Sequence, residues 1–333
     1  MPSEPTDGHD AGASAAEIAE SFHPLTWGEK LDTFAALDEQ FSRTWLDHIS
    51  RLLARPQLDR RKRLLVLSGQ YTMRGDLEAL EETLEAACSA GIDPREPLEA
   101  ILQCYVYAGQ GRVAAAASVF RRVVERRGLL EAVQAGQPPV DVAVAGRSLD
   151  EERAGWADAD RDDPRLERLL DEHGWHGIGT GLRLRPGHHI NLVATLDAID
   201  PDFLQIWLDT VYRNLYSRRV LDDATRLLCV IGNCLAVGES HQSRRHMRGA
   251  LKQGAAPRDI LEVIFQSTAI VGHPHMLPLA VDDLVAIVDE EGRLDELVDP
   301  DRLADVRDIV RQRLARRDGL ANLQAGKTKE ARP

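Results

Sequence analysis

Apolar residues recur along this chain at the three- and four-residue intervals that place them on one side of a helix, and the pattern occurs twice. Residues 63–71 and 226–235 are apolar on most sides, which predicts two buried helices. Residues 77–90 and 239–253 are amphipathic and stop at Gly91 and Gly254, glycine being the usual left-handed terminator. Pro94 and Pro257 then open the next helix, at an early position where a missing N–H does no harm. That helix carries Leu98, Ile101 and Leu102 in one place and Leu261, Ile264 and Phe265 in the other, and runs to Gly109 or Gly272. A further helical pattern precedes each set, "DTFAALDEQFSRTWLDHISRLL" and "PDFLQIWLDTVYRNLYS". Strand signals are few, and "VDVAVAG" near Val140 is the best of them.

The two sets are copies. Residues 58–109 align with 221–272 without a gap, and 16 of the 52 positions are identical. Unrelated segments of ordinary composition would match at roughly one position in fifteen. The identities include four glycines, Gly69/Gly232, Gly75/Gly238, Gly91/Gly254 and Gly109/Gly272. Two long repeats mean two copies of one fold, since a solenoid stacks three or more short units. The expected class is therefore all-α, with two tandem helical domains and a long irregular connector. The boundaries read as a disordered N-terminus 1–20, a first domain 21–135, a connector 136–190, a second domain 191–318 and a disordered tail 319–333. The connector is rich in Gly, Pro and acid, but it is too long and too apolar for a free linker, so it is expected to be ordered and packed over the second copy.

Charge narrows the partners. With 54 acidic against 41 basic residues in 333, the formal charge is -13. That disfavours nucleic acid and anionic membranes as partners. No apolar run reaches membrane-spanning length, and the acidic, polar start has no signal-peptide core, so a cytoplasmic location is expected. Cys88, Cys104, Cys229 and Cys234 form no C-x-x-C pair and read as small buried apolar residues.

"LDDATRLL", a histidine helix ending "HMRGALKQGA", and "PRDILEVIFQSTAIVGHP" together resemble the carboxymuconolactone decarboxylase family, which shares its all-helical fold with alkylhydroperoxidase D-like proteins. The likeness covers about 60 residues of each copy and, more loosely, the helix before each. It implies one of two chemistries. The peroxidase branch uses a C-x-x-C pair ahead of a histidine matched here by His246. Glu239 and Gln242 stand at the two thiol positions, and Leu227 stands where that branch has an acid, which argues against disulfide-based peroxide reduction. The decarboxylase branch needs no cofactor. Its chemistry asks for a cationic carboxylate clamp, a proton donor near neutrality and a dry pocket.

Differences between the copies point to the second one. Arg63/Arg226, Glu99/Glu262 and Gln103/Gln266 are shared, and the arginines and glutamates read first as a structural ion-pair network. His246 instead faces Thr83 in the alignment, His241 faces Glu78, Arg245 faces Glu82 and Arg248 faces Glu85. The candidate catalytic residues are His246, for proton transfer, and Glu262, to orient its ring. Arg226, His241, Arg248 and His273 are the candidate substrate ligands. Small Gly249 and Ala250 leave room beside the His246 ring for a ligand or for a neighbouring helix. Eight of the 11 histidines fall between His173 and His275, and "HGWHG" would put His173 and His176 on one helical face, yet no ordered ligand triplet supports a metal site. The leading expectation is a cofactor-independent lyase acting on a small carboxylated, lactone-type molecule, in a homo-oligomer, most plausibly a trimer. A non-catalytic assembly protein on the same fold is the alternative.

Overall fold

The computed structural model describes residues 14–137, 148–272 and 276–330. It is all-α, with no strand among the described residues; the strand candidate near Val140 lies outside them. The first set comprises α1 (Ala15–Phe22), α2 (Trp27–Leu37), α3 (Glu39–Leu53), α4 (Arg60–Arg74), α5 (Leu77–Ser89), α6 (Arg95–Leu102) and α7 (Tyr105–Arg126). Four short helices follow, α8 (Leu130–Ala135), α9 (Leu149–Ala154), α10 (Asp158–Arg161) and α11 (Leu166–His173). Then come α12 (Trp175–Leu184), α13 (His189–Ile199), and α14 (Pro201–Trp207), which continues as a π-helix over Leu208–Tyr216. The last set is α15 (Asp223–Ala236), α16 (Ser240–Lys252), α17 (Pro257–Val271), α18 (Leu277–Glu290) and α19 (Leu303–Glu330).

Caps and breaks recur in the same order in both sets. Asp59 caps α4 by accepting from the Lys62 amide, and Asp222 caps α15 by accepting from the Thr225 amide. Asp38 caps α3 through the Phe41 amide, and Asp200 caps α14 through the Phe203 amide. Gly109 (φ 70, ψ 179) breaks the helical path inside α7, and Gly272 (φ 75, ψ 174) ends α17 in the same conformation. A side chain is strained there, so glycine recurs at both places. The correspondence reaches further upstream than the alignment did. His23 ends α1 with φ -135 and ψ 66, and Arg185 ends α12 with φ -135 and ψ 61. The second series of helices thus starts at Trp175, inside the segment expected to be connector.

The buried helices α4 and α15 cross at the centre. A Cβ on Gly69 would lie 2.3 Å from the Asn233 side chain, and one on Gly232 would lie 2.7 Å from Val66. Only glycine permits so close an approach, from either side. Flanking this crossing are two exchanged ion pairs. Arg63 meets Glu262 at 3.4 Å, and Arg226 meets Glu99 at 3.0 Å. Arg55 joins Glu262 at 2.7 Å, and Arg218 joins Glu99 at 3.1 Å. Each glutamate is neutralised by the other set's arginines. All four central side chains are buried, and burial of such charges is tolerable only when they are paired.

A described helix enters each of the two terminal segments. Helix α1 begins at Ala15, inside the segment 1–20, because Ser14 and Glu17 form a capping box and Ala19 and Phe22 pack with no exposure. Helix α19 runs to Glu330 through the expected tail, and its start packs Leu303, Val306, Val310 and Leu314 against Val285 and Leu294.

Candidate functional site

His246 projects from α16 into a buried polar cluster and is 2% exposed. Its Nε2 lies 2.7 Å from the Tyr107 hydroxyl, which comes from α7 in the first set. The Tyr216 hydroxyl donates to the Tyr107 oxygen at 3.5 Å. The Tyr107 hydroxyl, protonated and in hydrogen-bond reach, is the group with a proton to give to a neutral Nε2. The neutral imidazole then carries its hydrogen on Nδ1, which has no hydrogen-bond partner among the described residues. Burial, with Arg185 and Arg245 nearby, holds the His246 pKa well below the ordinary value, so the ring is neutral at pH 7. Burial, with Tyr216 and Cys234 close by, pushes the Tyr107 phenol well above its usual range. The pair is therefore a neutral base beside a protonated acid.

Arg185 is the charge in this cluster. It sits at the end of α12 and is 7% exposed. It donates to the Tyr212 hydroxyl at 3.2 Å and to Gln242 Oε1 at 3.2 Å. Among the described residues no carboxylate pairs with it. Burial works against its charge, but the neighbouring hydroxyls of Tyr212, Tyr107 and Tyr216 outweigh this and keep it protonated. His189, fully buried with neither ring nitrogen bonded among the described residues, packs edge-on to Tyr212 at 4.5 Å. A Cβ on Gly181 would strike the His189 ring at 2.0 Å, so this glycine is what lets α12 lie down over α13.

The expected site residues separate in the structure. Glu262 does not serve His246: its oxygens accept from Arg55 at 2.8 and 2.9 Å and pair with Arg63. Arg226 is held by Glu99 and by the Arg218 carbonyl. Both belong to the central crossing, where their charges are already met. His241 is exposed and lies 2.8 Å from Arg245. Arg248 pairs with Glu290 and Glu291 on the outer side of α16. His273 lies outside the described residues. The space beside Gly249 is filled by a neighbouring helix end, since a Cβ there would lie 2.2 Å from the Leu184 carbonyl oxygen.

Two expectations about the connector fare differently. Its C-terminal part covers His246, through α12 and Arg185. His173 and His176 do not share a helix, because Gly174 (φ 77) ends α11 between them. His173 bonds Asp197 at 2.8 Å, with Glu172 near enough to share a cation, but Arg168 already bridges Glu172 and Asp197. All four cysteines are free thiols. Burial raises the pKa of both Cys229 and Cys234 to about 12, so neither is a ready thiolate.

Sequence reasoning missed Arg185, Tyr107, Tyr212 and Tyr216. The signal was available, because Tyr107 aligns with Ile270 and Arg185 with His23.

Residues 201–281 match the Carboxymuconolactone decarboxylase family. An uncharacterised 15.0 kDa protein from the nqo9–nqo10 intergenic region of Paracoccus denitrificans is 38% identical over 87 residues, which make up 26% of this chain. The chain spans 60% of the length of that relative. No described helix is long and apolar enough to cross a membrane. The match covers α14 through the first turns of α18, including His246, so what is similar to the decarboxylase family is the helical frame that carries this cluster.

Proposed function

We propose that the His246 cluster is an acid–base site for a small carboxylated molecule, working without a cofactor as a decarboxylase-like lyase. The observation that carries this is Arg185: a buried guanidinium with no carboxylate partner among the described residues, in one hydrogen-bonded neighbourhood with Tyr212 and Gln242. A substrate carboxylate would supply the missing countercharge, and the fork of arginine suits it. Arg185 thus takes the role first expected of Arg226, and Tyr107 takes the place expected of Glu262. Loss of CO₂ leaves the bonding pair on the adjacent carbon as a carbanion or enolate. Tyr107 is placed to give its proton there, with His246 Nε2 holding the hydroxyl in position, and the phenolate left behind takes a proton from solvent to close the cycle. The test is a thermal-shift screen of small carboxylic acids and lactones against wild type and Arg185→Met. Ligands that stabilise wild type and fail on Arg185→Met support the reading; a ligand set indifferent to Arg185 overturns it.

One observation favours the alternative of an assembly protein. Leu37 (80% exposed) and Phe41 recur as Ile199 (74% exposed) and Phe203, so each set of helices presents an equivalent apolar patch. We propose that these patches mediate self-association of two tandem copies of one fold into a closed homo-oligomer, with a trimer the expected state. Light scattering that reports a monomer at micromolar concentration would contradict this, and so would a Phe41→Glu/Phe203→Glu double variant of unchanged size.

A further inference from the structure

The first set of helices holds an open cavity of about 500 Å³, within the range of small-molecule sites. It lies where the first set corresponds to the Arg185 cluster of the second, between the end of α1, α2, α3, α4, the start of α5 and, from the second set, α17. His23 stands at the position of Arg185, and Tyr71 at that of Cys234. Where the second set has Tyr107 reaching in, this cavity has the shorter Ile270.

The cavity carries unused donors. Trp27 lines it, is 4% exposed, and its indole N–H has no hydrogen-bond partner among the described residues. A buried N–H left unpaired costs about 1–3 kcal/mol, so an acceptor there is favoured. Burial lowers the pKa of His23 to about 4, with Glu82 opposing and Lys30 assisting, so that ring is neutral at pH 7. The Tyr71 phenol is held protonated by burial and by Asp76 and Glu82. Charges of both signs stand around the space. Lys30 pairs with Glu78 at 2.9 Å, Glu82 accepts from the Leu25 amide and the Thr26 hydroxyl, and Arg74 and Asp76 line the cavity with opposite signs. Trp27 and Trp45 stack at 4.3 Å and give the wall an aromatic surface.

We propose that this cavity is a second ligand site, for an uncharged planar aromatic molecule bearing a carbonyl-type acceptor that takes the Trp27 N–H. It is independent of the chemistry assigned to His246. The probes are benzamide, its anionic analogue benzoate, and the non-planar cyclohexanecarboxamide, with binding read by saturation-transfer NMR titration. Benzamide should bind saturably and about five- to tenfold more tightly than either of the others. Trp27→Phe, which keeps a ring and removes the donor, should weaken benzamide about five- to tenfold. Ala269→Trp, at an exposed wall position, should abolish binding with an unchanged melting temperature. Arg185→Met should leave benzamide binding as in wild type. Absence of saturable benzamide binding, equal affinity for benzoate, or binding untouched by Ala269→Trp would each overturn the assignment.

Discussion

Around Thr83 and around His246 corresponding helices meet, and they enclose different things. At Thr83 the hydroxyl bonds back to the carbonyl of Ala79 within its own helix, and Ala79 lines the open cavity. At His246 the imidazole reaches across to a tyrosine of the other set, in a neighbourhood of phenols and one arginine. The frame is held constant by shared glycines and exchanged ion pairs, so a few side chains decide whether the place is open and neutral or polar and cationic. The proposed chemistry lies on the part of the fold that does not bear its central load.

The largest expected effect separates the two places by activity. His246→Gln should lower turnover on a confirmed substrate by roughly 10²–10⁴-fold, with the melting temperature nearly unchanged, while Thr83→Ala should leave turnover intact. Equal activity of the two variants in a steady-state assay would erase the distinction. Next comes the symmetry of the crossing. Glu99→Gln and Glu262→Gln should each cost about 3–5 kcal/mol in urea unfolding, because each strands a buried arginine. A large loss for one and none for the other would show that the exchanged pairs are not equivalent.

Gly249→Ala is expected to destabilise by about 1–3 kcal/mol, since its Cβ meets a main-chain carbonyl that cannot step aside. The first set carries Ala86 at the corresponding position without strain, so the reverse change Ala86→Gly should cost only about 1 kcal/mol. Acidification tests both places together. His23, His189 and His246 have folded pKa values below the ordinary one, so the unfolded chain binds more protons below about pH 6.5. Stability is full above that pH and falls as pH drops toward the folded values. Melting scans from pH 7.5 to 4.5 should show this decline, shallower in His246→Gln. The smallest effect is expected at the thiols, where Cys234→Ala should keep full turnover; its loss in folded protein would bring thiol chemistry back.

The all-helical class was legible from the repeat of apolar spacing, and the four shared glycines marked both breaks and close approaches. His246 was legible because its helix differs in kind from the helix over Thr83. The partners of His246 were not, because hydrogen bonds between sets are invisible to periodicity. Tyr107 lies 139 residues away from it. Glu262 illustrates the converse. An acid one helix away looked like a natural partner for the imidazole, but two arginines, one of them 207 residues distant, claim it. A charge's nearest neighbour in sequence says little when the centre is built by exchange.

The wide turn at Leu208–Tyr216 has a consequence of its own. Before it, matched residues are offset by 162 (Trp45 to Trp207); after it, by 163 (Arg55 to Arg218). One extra residue has been absorbed as a π-helix rather than passed on to the next loop. It acts like a slipped tooth between two gears: α14 and α15 both keep phase with their counterparts, and only the span between them rotates. That span carries Tyr212 and Tyr216. A one-residue deletion there would bring the helix back into step with α3 and swing both phenols off Arg185 and Tyr107, leaving the rest of the fold in register.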